Sequence, residues 1–139
     1  MKFLRINHIG IASKDLREVV TRMNSLFDQT PTHQEEVKDQ KVNTVFYSAG
    51  ESRLEFLETT DPEGPIGKFI NKRGQGIHHI CLEVENIHEA LIHLKNKGVR
   101  LIDEQPRKGA HNCWVAFIHP SETGGVLMEL SQELSLIHI

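Results

Sequence analysis

The chain has 139 residues, a length that is typical of one compact domain with a single hydrophobic core. Charged residues make up 25% of the sequence and are interspersed to a formal net charge of −3, which excludes the basic surface of a nucleic-acid or membrane binder. Its 2 cysteines form no disulfide framework, and no apolar run has the length of a signal peptide or a membrane span, so we expect a reduced, cytoplasmic protein.

The first half of the chain predicts a strand, a helix and three further strands. Asp15, followed three residues later by Glu18, is typical of a helix N-terminus because both side chains can satisfy unpaired backbone amides. Residues 42–46 are rich in strand-forming side chains. We assign these elements to a first βαβββ module at residues 3–60, followed by a linker helix at residues 63–74.

The second half repeats the first after a shift of 71 positions. At this shift the N-cap acceptor Asn86 aligns with Asp15, and the strand at 113–117 aligns with the strand at 42–46. The apolar stripes of the two helices also coincide, so gene duplication explains the pattern better than chance similarity. We assign a second βαβββ module to residues 76–132, and expect both modules to pack into one α+β domain because neither buries its apolar faces alone.

Four polar residues occupy equivalent places in the two modules. His8 and His79 lie in the first strands, and Glu55 and Glu129 lie in the last strands. By strand alternation their apolar neighbours face the helices, so these four side chains share the opposite face of the sheet. An enclosed carboxylate is costly without a positive partner, and two imidazoles with two carboxylates suit a divalent cation. We therefore predict a metal site, although a structural hydrogen-bonding role is the alternative for each histidine alone.

Three other segments receive separate interpretations. The charged run at residues 35–39 is interpreted as a solvated edge rather than a catalytic pair. His111 precedes a predicted strand, where both a structural loop role and a substrate contact fit the pattern. The tail at residues 133–139 alternates apolar and polar side chains, which is compatible with an added edge strand or with contact to a partner subunit.

Several motifs of the second half resemble those of one enzyme family. They are residues 76–80 (GIHHI), 98–104 (GVRLIDE), 109–111 (GAH), the His119-Pro120 dipeptide and residues 123–130 (TGGVLMEL). Together with Asp61-Pro62 between the halves, they resemble the methylmalonyl-CoA epimerases, a family of the vicinal oxygen chelate superfamily, also called the glyoxalase/bleomycin resistance superfamily. The resemblance covers residues 6–132.

The resemblance implies a fold, a cofactor and a reaction. The two modules would form a cupped, partly closed mixed sheet, and His8, Glu55, His79 and Glu129 would bind one divalent ion per chain, with zinc or cobalt ahead of nickel or manganese. The family interconverts the two epimers of methylmalonyl-CoA through a metal-stabilised enolate, which requires an electrophile and a base. Glu129 is the predicted base, an acyl-CoA is the predicted substrate and a homodimer is the expected assembly.

This sequence departs from the family pattern at several positions. Some members carry a glutamate where Thr44 stands, and a threonine does not carry protons unaided, so Glu36, His111 or a bound water would have to replace it. Lys41 and Asn112 stand where glycine is usual. For the coenzyme A phosphates, the loop cations Arg107 and Lys108 are candidate contacts on the basis of charge alone.

Two rival functions fit the same fold. A glyoxalase I-like lyase or isomerase would act on a thiol adduct with a similar set of histidine and glutamate ligands. A non-catalytic protein that binds a small molecule such as an antibiotic would use the same duplicated architecture without a metal. The four matched ligands favour a metal enzyme over the binding protein, and activity assays distinguish the two enzymes.

Overall fold

The computed structural model describes residues 1–134, so most of the predicted tail at 133–139 lies outside the described residues. The strands are β1 (Phe3–Ala12), β2 (His33–Val37), β3 (Val42–Ala49), β4 (Ser52–Thr59), β5 (Gly76–Val84), β6 (Arg107–Lys108), β7 (Cys113–Ile118) and β8 (Met128–Glu133). The helices are α1 (Leu16–Phe27), α2 (Pro65–Arg73) and α3 (Ile87–Asn96). Within residues 1–134, no helix is long and apolar enough to cross a membrane.

The chain divides into two compact units, and the boundaries fall inside β1 and inside β5. The first unit is His8–His78, in which the strand order is β2-β3-β4-β1. The second unit combines Met1–Asn7 with the residues from His79 onward, and its strand order is β5-β8-β7-β6. In each unit the module's first strand is parallel to its last strand, and the other neighbours are antiparallel.

In the first unit, α1 packs on one face of the sheet. Its N-cap is Asp15, whose carboxylate accepts a hydrogen bond from the Arg17 amide at 2.9 Å, as the sequence predicts. Leu16 of α1 clusters with Val45 and Tyr47 of β3, and burial raises the pKa of the Tyr47 hydroxyl. Because side chains alternate along a strand, the neighbours of these β3 residues point away from α1.

In the second unit, α3 packs in the same way. Asn86 is its N-cap and accepts a hydrogen bond from the Glu89 amide at 3.0 Å. The buried cluster contains Ile87 and Leu91 of α3 with Ala116 of β7 and Leu130 of β8. Full burial of a leucine or isoleucine side chain is worth about 1.5–3 kcal/mol, so this apolar face holds the helix on the sheet.

The two helices begin with the same contact to the last strand of their module. The Leu16 amide donates to Glu58 Oε1 at 3.0 Å, and the Ile87 amide donates to Gln132 Oε1 at 2.9 Å. Both contacts satisfy a backbone amide in the first turn, which has no partner within the helix. Matched long-range contacts of this kind are expected of a duplicated unit.

Lys41 and Asn112, where the resemblance leads us to expect glycine, have left-handed backbone conformations. Lys41 has a φ of 56°, and Asn112 has a φ of 54°. Glycine adopts this region without a penalty, whereas a residue with a Cβ atom is strained there. Lys41 ends the short 3₁₀ turn between β2 and β3, and its amide donates to the Lys38 carbonyl at 3.1 Å. Both positions therefore have a backbone geometry that favours glycine, although neither residue is a glycine.

Candidate metal and acid–base site

The first unit contains a buried pair formed by His8 of β1 and Glu55 of β4. Nε2 of His8 lies 3.2 Å from Oε1 of Glu55, and the two side chains are only 9% and 4% exposed. Phe46 stands opposite Glu55 in the β3–β4 ladder, and its ring meets the His8 ring edge-on, with centroids 6.2 Å apart. The pair therefore has an apolar wall and little contact with solvent.

The second unit contains the equivalent pair, formed by His79 of β5 and Glu129 of β8. Their Nε2 and Oε1 atoms are also 3.2 Å apart, and both side chains are 3% exposed. Phe117 stands opposite Glu129 in the β7–β8 ladder and meets the His79 ring edge-on at 5.5 Å. Each unit thus presents one imidazole and one carboxylate against one phenylalanine ring, in the same arrangement.

The chemistry of these donors fits a divalent cation. A buried carboxylate needs a positive or hydrogen-bonding partner, because its transfer from water costs several kcal/mol without one. Imidazole nitrogen and carboxylate oxygen are ligands that zinc and related metals accept. Each unit therefore offers one nitrogen and one oxygen ligand, on the face predicted from strand alternation.

The predicted coenzyme A contacts lie beside aromatic rings. Arg107 stacks over the Phe117 ring at 5.8 Å, and its Nε lies 3.4 Å from Asp103 Oδ1. Lys108 lies over the Trp114 ring, with 5.0 Å between Nζ and the ring centroid. Both cations lie in β6, and their role in binding phosphate stays a prediction.

The structure separates the candidates for the second proton carrier. Thr44 is 2% exposed, and its hydroxyl donates to the Glu35 carbonyl at 3.0 Å. Glu36 stands opposite Asn43 in the β2–β3 ladder, and Asn43 shares the face of Val45, which packs against Leu16 of α1. Glu36 therefore lies on the helix face, whereas Glu55 lies on the other face.

His111 lies in a short 3₁₀ turn over Ala110–Asn112, with a φ of 58°. Its side chain is half-buried. A non-glycine residue in this conformation is uncommon and is held there by its surroundings. Contact of His111 with a substrate stays a prediction.

The sequence did not predict a contact between two side chains of β2. Nε2 of His33 lies 2.7 Å from Oε1 of Glu35, at the start of the run 35–39, which is interpreted as a solvated edge and lies in and after an edge strand. The signal was the spacing of two residues, which places both side chains on one face of a strand. The missing information was which face of the sheet that is.

A second unforeseen feature is a buried carboxylate in β5. Glu83 is 5% exposed and accepts hydrogen bonds from Arg5 at 2.9 Å and from Asn7 at 3.0 Å. Both donors belong to the part of β1 that lies in the second unit. Because Glu83 is neutralised by Arg5 and also hydrogen-bonded by Asn7 within this unit, we assign it a structural role.

Comparison with known proteins supports the fold and points to one family. A family profile described as Glyoxalase/Bleomycin resistance protein/Dioxygenase superfamily matches residues 7–117. The ethylmalonyl-CoA/methylmalonyl-CoA epimerase of Cereibacter sphaeroides is 37% identical over 92% of this chain and 97% of its own. Human mitochondrial methylmalonyl-CoA epimerase is 36% identical over 92% of this chain and 73% of its own.

Among solved structures, Streptomyces coelicolor methylmalonyl-CoA epimerase in complex with 2-nitronate-propionyl-CoA is similar to this chain with a TM-score of 0.90. The two sequences are 30% identical, and the match covers 96% of this chain and 100% of the other chain. The expected fold class, an α+β fold of two tandem βαβββ modules, is thereby confirmed.

Proposed function

The chain belongs to the Glyoxalase/Bleomycin resistance protein/Dioxygenase superfamily and, within it, to the methylmalonyl-CoA epimerase family, and we propose that it interconverts the two epimers of methylmalonyl-CoA. The observation that carries this proposal is the duplicated buried pair of an imidazole and a carboxylate, His8 with Glu55 and His79 with Glu129. These residues stand where the family resemblance places the metal ligands. The protein is thus an isomerase that acts on an acyl-CoA.

The four side chains would hold one divalent cation per chain. Each unit supplies one imidazole and one carboxylate to this set, His8 with Glu55 and His79 with Glu129. Zinc and cobalt are the metals that we propose, because a mixed nitrogen and oxygen ligand set suits both. A bound cation would supply a Lewis acid that stabilises negative charge on the thioester oxygen.

The side chains of the protein would then orient the substrate and move its proton. The carbon between the two carbonyl groups loses its hydrogen on one face and regains one on the other, which inverts the centre. Glu129 is the proposed base on one face, since its side chain is only 3% exposed, it stands opposite Phe117 in the β7–β8 ladder, and a carboxylate screened from water is a suitable proton acceptor. Phe46 and Phe117 would exclude water from both pairs and so protect the enolate.

Heavy water provides the test of this function. Each purified epimer of methylmalonyl-CoA is incubated with the protein in heavy water, and mass spectrometry and a stereospecific coupled assay follow deuterium and inversion. We expect deuterium at the inverted carbon in step with turnover, and the loss of both after chelation. A parallel assay with a hemithioacetal is the control, and its conversion in place of epimerisation would establish the glyoxalase I-like alternative.

The assembly and location of the protein are also proposals. We propose a homodimer, for which the apolar side chains at the start of β1 offer support: Phe3, Leu4 and Ile6 are 56%, 42% and 46% exposed. We propose a cytoplasmic location because Cys81 and Cys113 are both buried and are not joined in a disulfide, as in reduced proteins. Light scattering coupled to size-exclusion chromatography measures the mass of the assembly and would contradict the dimer if it gave that of one chain.

A further inference from the structure

Epimerisation needs a proton carrier on each face of the substrate carbon, and Glu129 serves only one of them. Thr44 stands where some relatives carry a glutamate, and the structure shows what surrounds that position in this chain. The β2–β3 ladder places Glu35 directly opposite Thr44 and His33 directly opposite Phe46. Partners across a ladder point to the same face, so Glu35 shares the face of Thr44 and Phe46.

That face also carries the metal-ligand candidates of the first unit. Phe46 stands opposite Glu55 in the next ladder, and its ring contacts both His8 and His33, with centroids 6.2 Å and 5.8 Å apart. Neighbouring strands lie about 4.8 Å apart, so the carboxylate of Glu35 starts one strand farther out than a carboxylate at position 44 would. The Glu35 carboxylate meets His33, which stands opposite Phe46, so it is directed along β2 toward the ring that contacts His8.

The Glu35 carboxylate is positioned by a neighbouring imidazole. Its Oε1 lies 2.7 Å from Nε2 of His33, a hydrogen-bond distance that fixes the direction of the carboxylate. The side chains of His33 and Glu35 are 38% and 30% exposed, which lets the pair exchange protons with water while part of each lies against the sheet. The Phe46 ring lies beside the His33 ring, with centroids 5.8 Å apart.

We propose that Glu35 is the second proton carrier of this enzyme, and that His33 positions it. This inference depends on the proposed epimerase function and extends it by one catalytic residue. In this proposal, Glu35 of β2 supplies the carboxylate that Thr44, its partner on β3, does not have.

The proton transfers balance as follows. In one direction the Glu35 carboxylate takes the proton of the substrate carbon, and the electron pair of the C–H bond enters the enolate. Protonated Glu129 then delivers a proton to the opposite face of the carbon, and the electron pair forms the new C–H bond. One turnover leaves Glu35 protonated and Glu129 ionised, and exchange with water restores both. The reverse reaction uses the two groups in the opposite order.

The test separates proton exchange from inversion. Glu35→Gln removes the carrier from one face only, so inversion should fall by at least about 100-fold, the usual effect of losing a general base. Glu129 still removes and returns a proton on its own face, so one epimer should keep exchanging its hydrogen for deuterium without inverting. The other epimer should exchange no faster than in a control without enzyme.

The matched control is Glu36→Gln, which makes the same change one residue along β2 on the helix face. We expect it to invert the substrate at a rate within about twofold of the wild-type rate, a difference of under about 0.5 kcal/mol. For the positioning role of His33, His33→Phe should lower kcat for inversion and leave KM and the single-face exchange unchanged. Circular dichroism and metal content should match the wild type in all three variants.

The outcomes distinguish the inference from the function on which it depends. Wild-type inversion together with undiminished inversion by Glu35→Gln would overturn the role of Glu35 and leave the epimerase function standing. Equal loss of exchange from both epimers would also overturn it, because a carrier on one face does not act on the other. Absence of inversion and exchange in the wild type would overturn the proposed function and, with it, this inference.

Discussion

The Thr44 hydroxyl donates a hydrogen bond to the carbonyl oxygen of Glu35 at 3.0 Å, across the ladder that joins β3 to β2. Thr44 is 2% exposed, whereas the Glu35 side chain is 30% exposed. The threonine is thus a buried support for the strand that carries the glutamate. Thr44 therefore has a structural role in the first unit.

A Thr44→Val variant tests that structural role. Loss of one hydroxyl that donates to a carbonyl should lower the free energy of unfolding by about 1 kcal/mol. The inversion rate should stay within about tenfold of the wild-type rate, which corresponds to about 1.4 kcal/mol, because the ladder still holds β2. Urea unfolding and the epimerase assay measure the two effects. A much larger loss of rate at unchanged stability would show that the hydroxyl relays a proton itself.

Metal binding provides the second prediction. Elemental analysis should find one divalent ion per chain, and a chelator should remove it. His8→Ala, Glu55→Ala, His79→Ala and Glu129→Ala should each weaken binding, because each removes one proposed ligand. Glu83→Gln is the control, since Glu83 is a buried carboxylate that Arg5 and Asn7 neutralise, and its metal content should not change. Retention of a full equivalent of metal by all four alanine variants would contradict the site.

The proposed ligands also predict a direction for the effect of pH. An imidazole must be unprotonated to coordinate a metal, so affinity should fall as the pH drops below about 6.5, the usual range for histidine. Competition with a fluorescent chelator between about pH 5 and pH 8 measures this. An affinity that does not change over that interval would indicate a site made of oxygen ligands alone.

A Glu129→Gln variant distinguishes a base from a ligand. The amide oxygen can still coordinate, so part of the metal should remain, but the amide does not accept the proton and the rate should fall by at least about 100-fold. Glu55→Gln makes the same change in the other buried pair, where some relatives carry glutamine, and should lose much less activity. If Glu129→Gln keeps its metal and loses little activity, the proton travels through another group.

The backbone conformation of Lys41 predicts a gain in stability. A left-handed conformation costs a residue with a Cβ atom about 1–2 kcal/mol, and glycine loses part of that advantage through its greater freedom when unfolded. Lys41→Gly should therefore be more stable than Lys41→Ala by about 1 kcal/mol in urea unfolding. Both variants lose the exposed contact between Lys41 and Asp61, so the comparison isolates the backbone term. Equal stability of the two variants would contradict this explanation.

Much of the fold could be predicted because its signals are local or repeated. The N-caps Asp15 and Asn86 are set by the side chain next to the helix, and both cap as predicted. Strand alternation placed Leu54 and Leu130 on the helix faces, and both lie in or against the clusters that cover α1 and α3. Once those residues are assigned, Glu55 and Glu129 must point to the opposite face.

The acid–base pair of β2 could not be predicted in the same way. His33 and Glu35 alternate with Gln34 and Glu36, and all four side chains are polar or charged, so the pattern does not show which pair faces inward. The turn before β3 sets the register of β2 against β3. In that turn Lys41 has a left-handed conformation, which a lysine in the sequence does not predict. A slip of one residue would have exchanged Glu35 for Glu36.

The sequence by itself determined the duplication, the helix starts and the sheet face of each buried histidine and glutamate. Caps and strand alternation depend on near neighbours in the chain, and each pattern occurs in both modules. Only the tertiary structure decided the pairing of Glu35 with Thr44, the 2.7 Å contact between His33 and Glu35, and the placement of Glu36 on the helix face. These depend on the register of two strands, which is fixed by a turn and by packing of the whole sheet rather than by either strand alone.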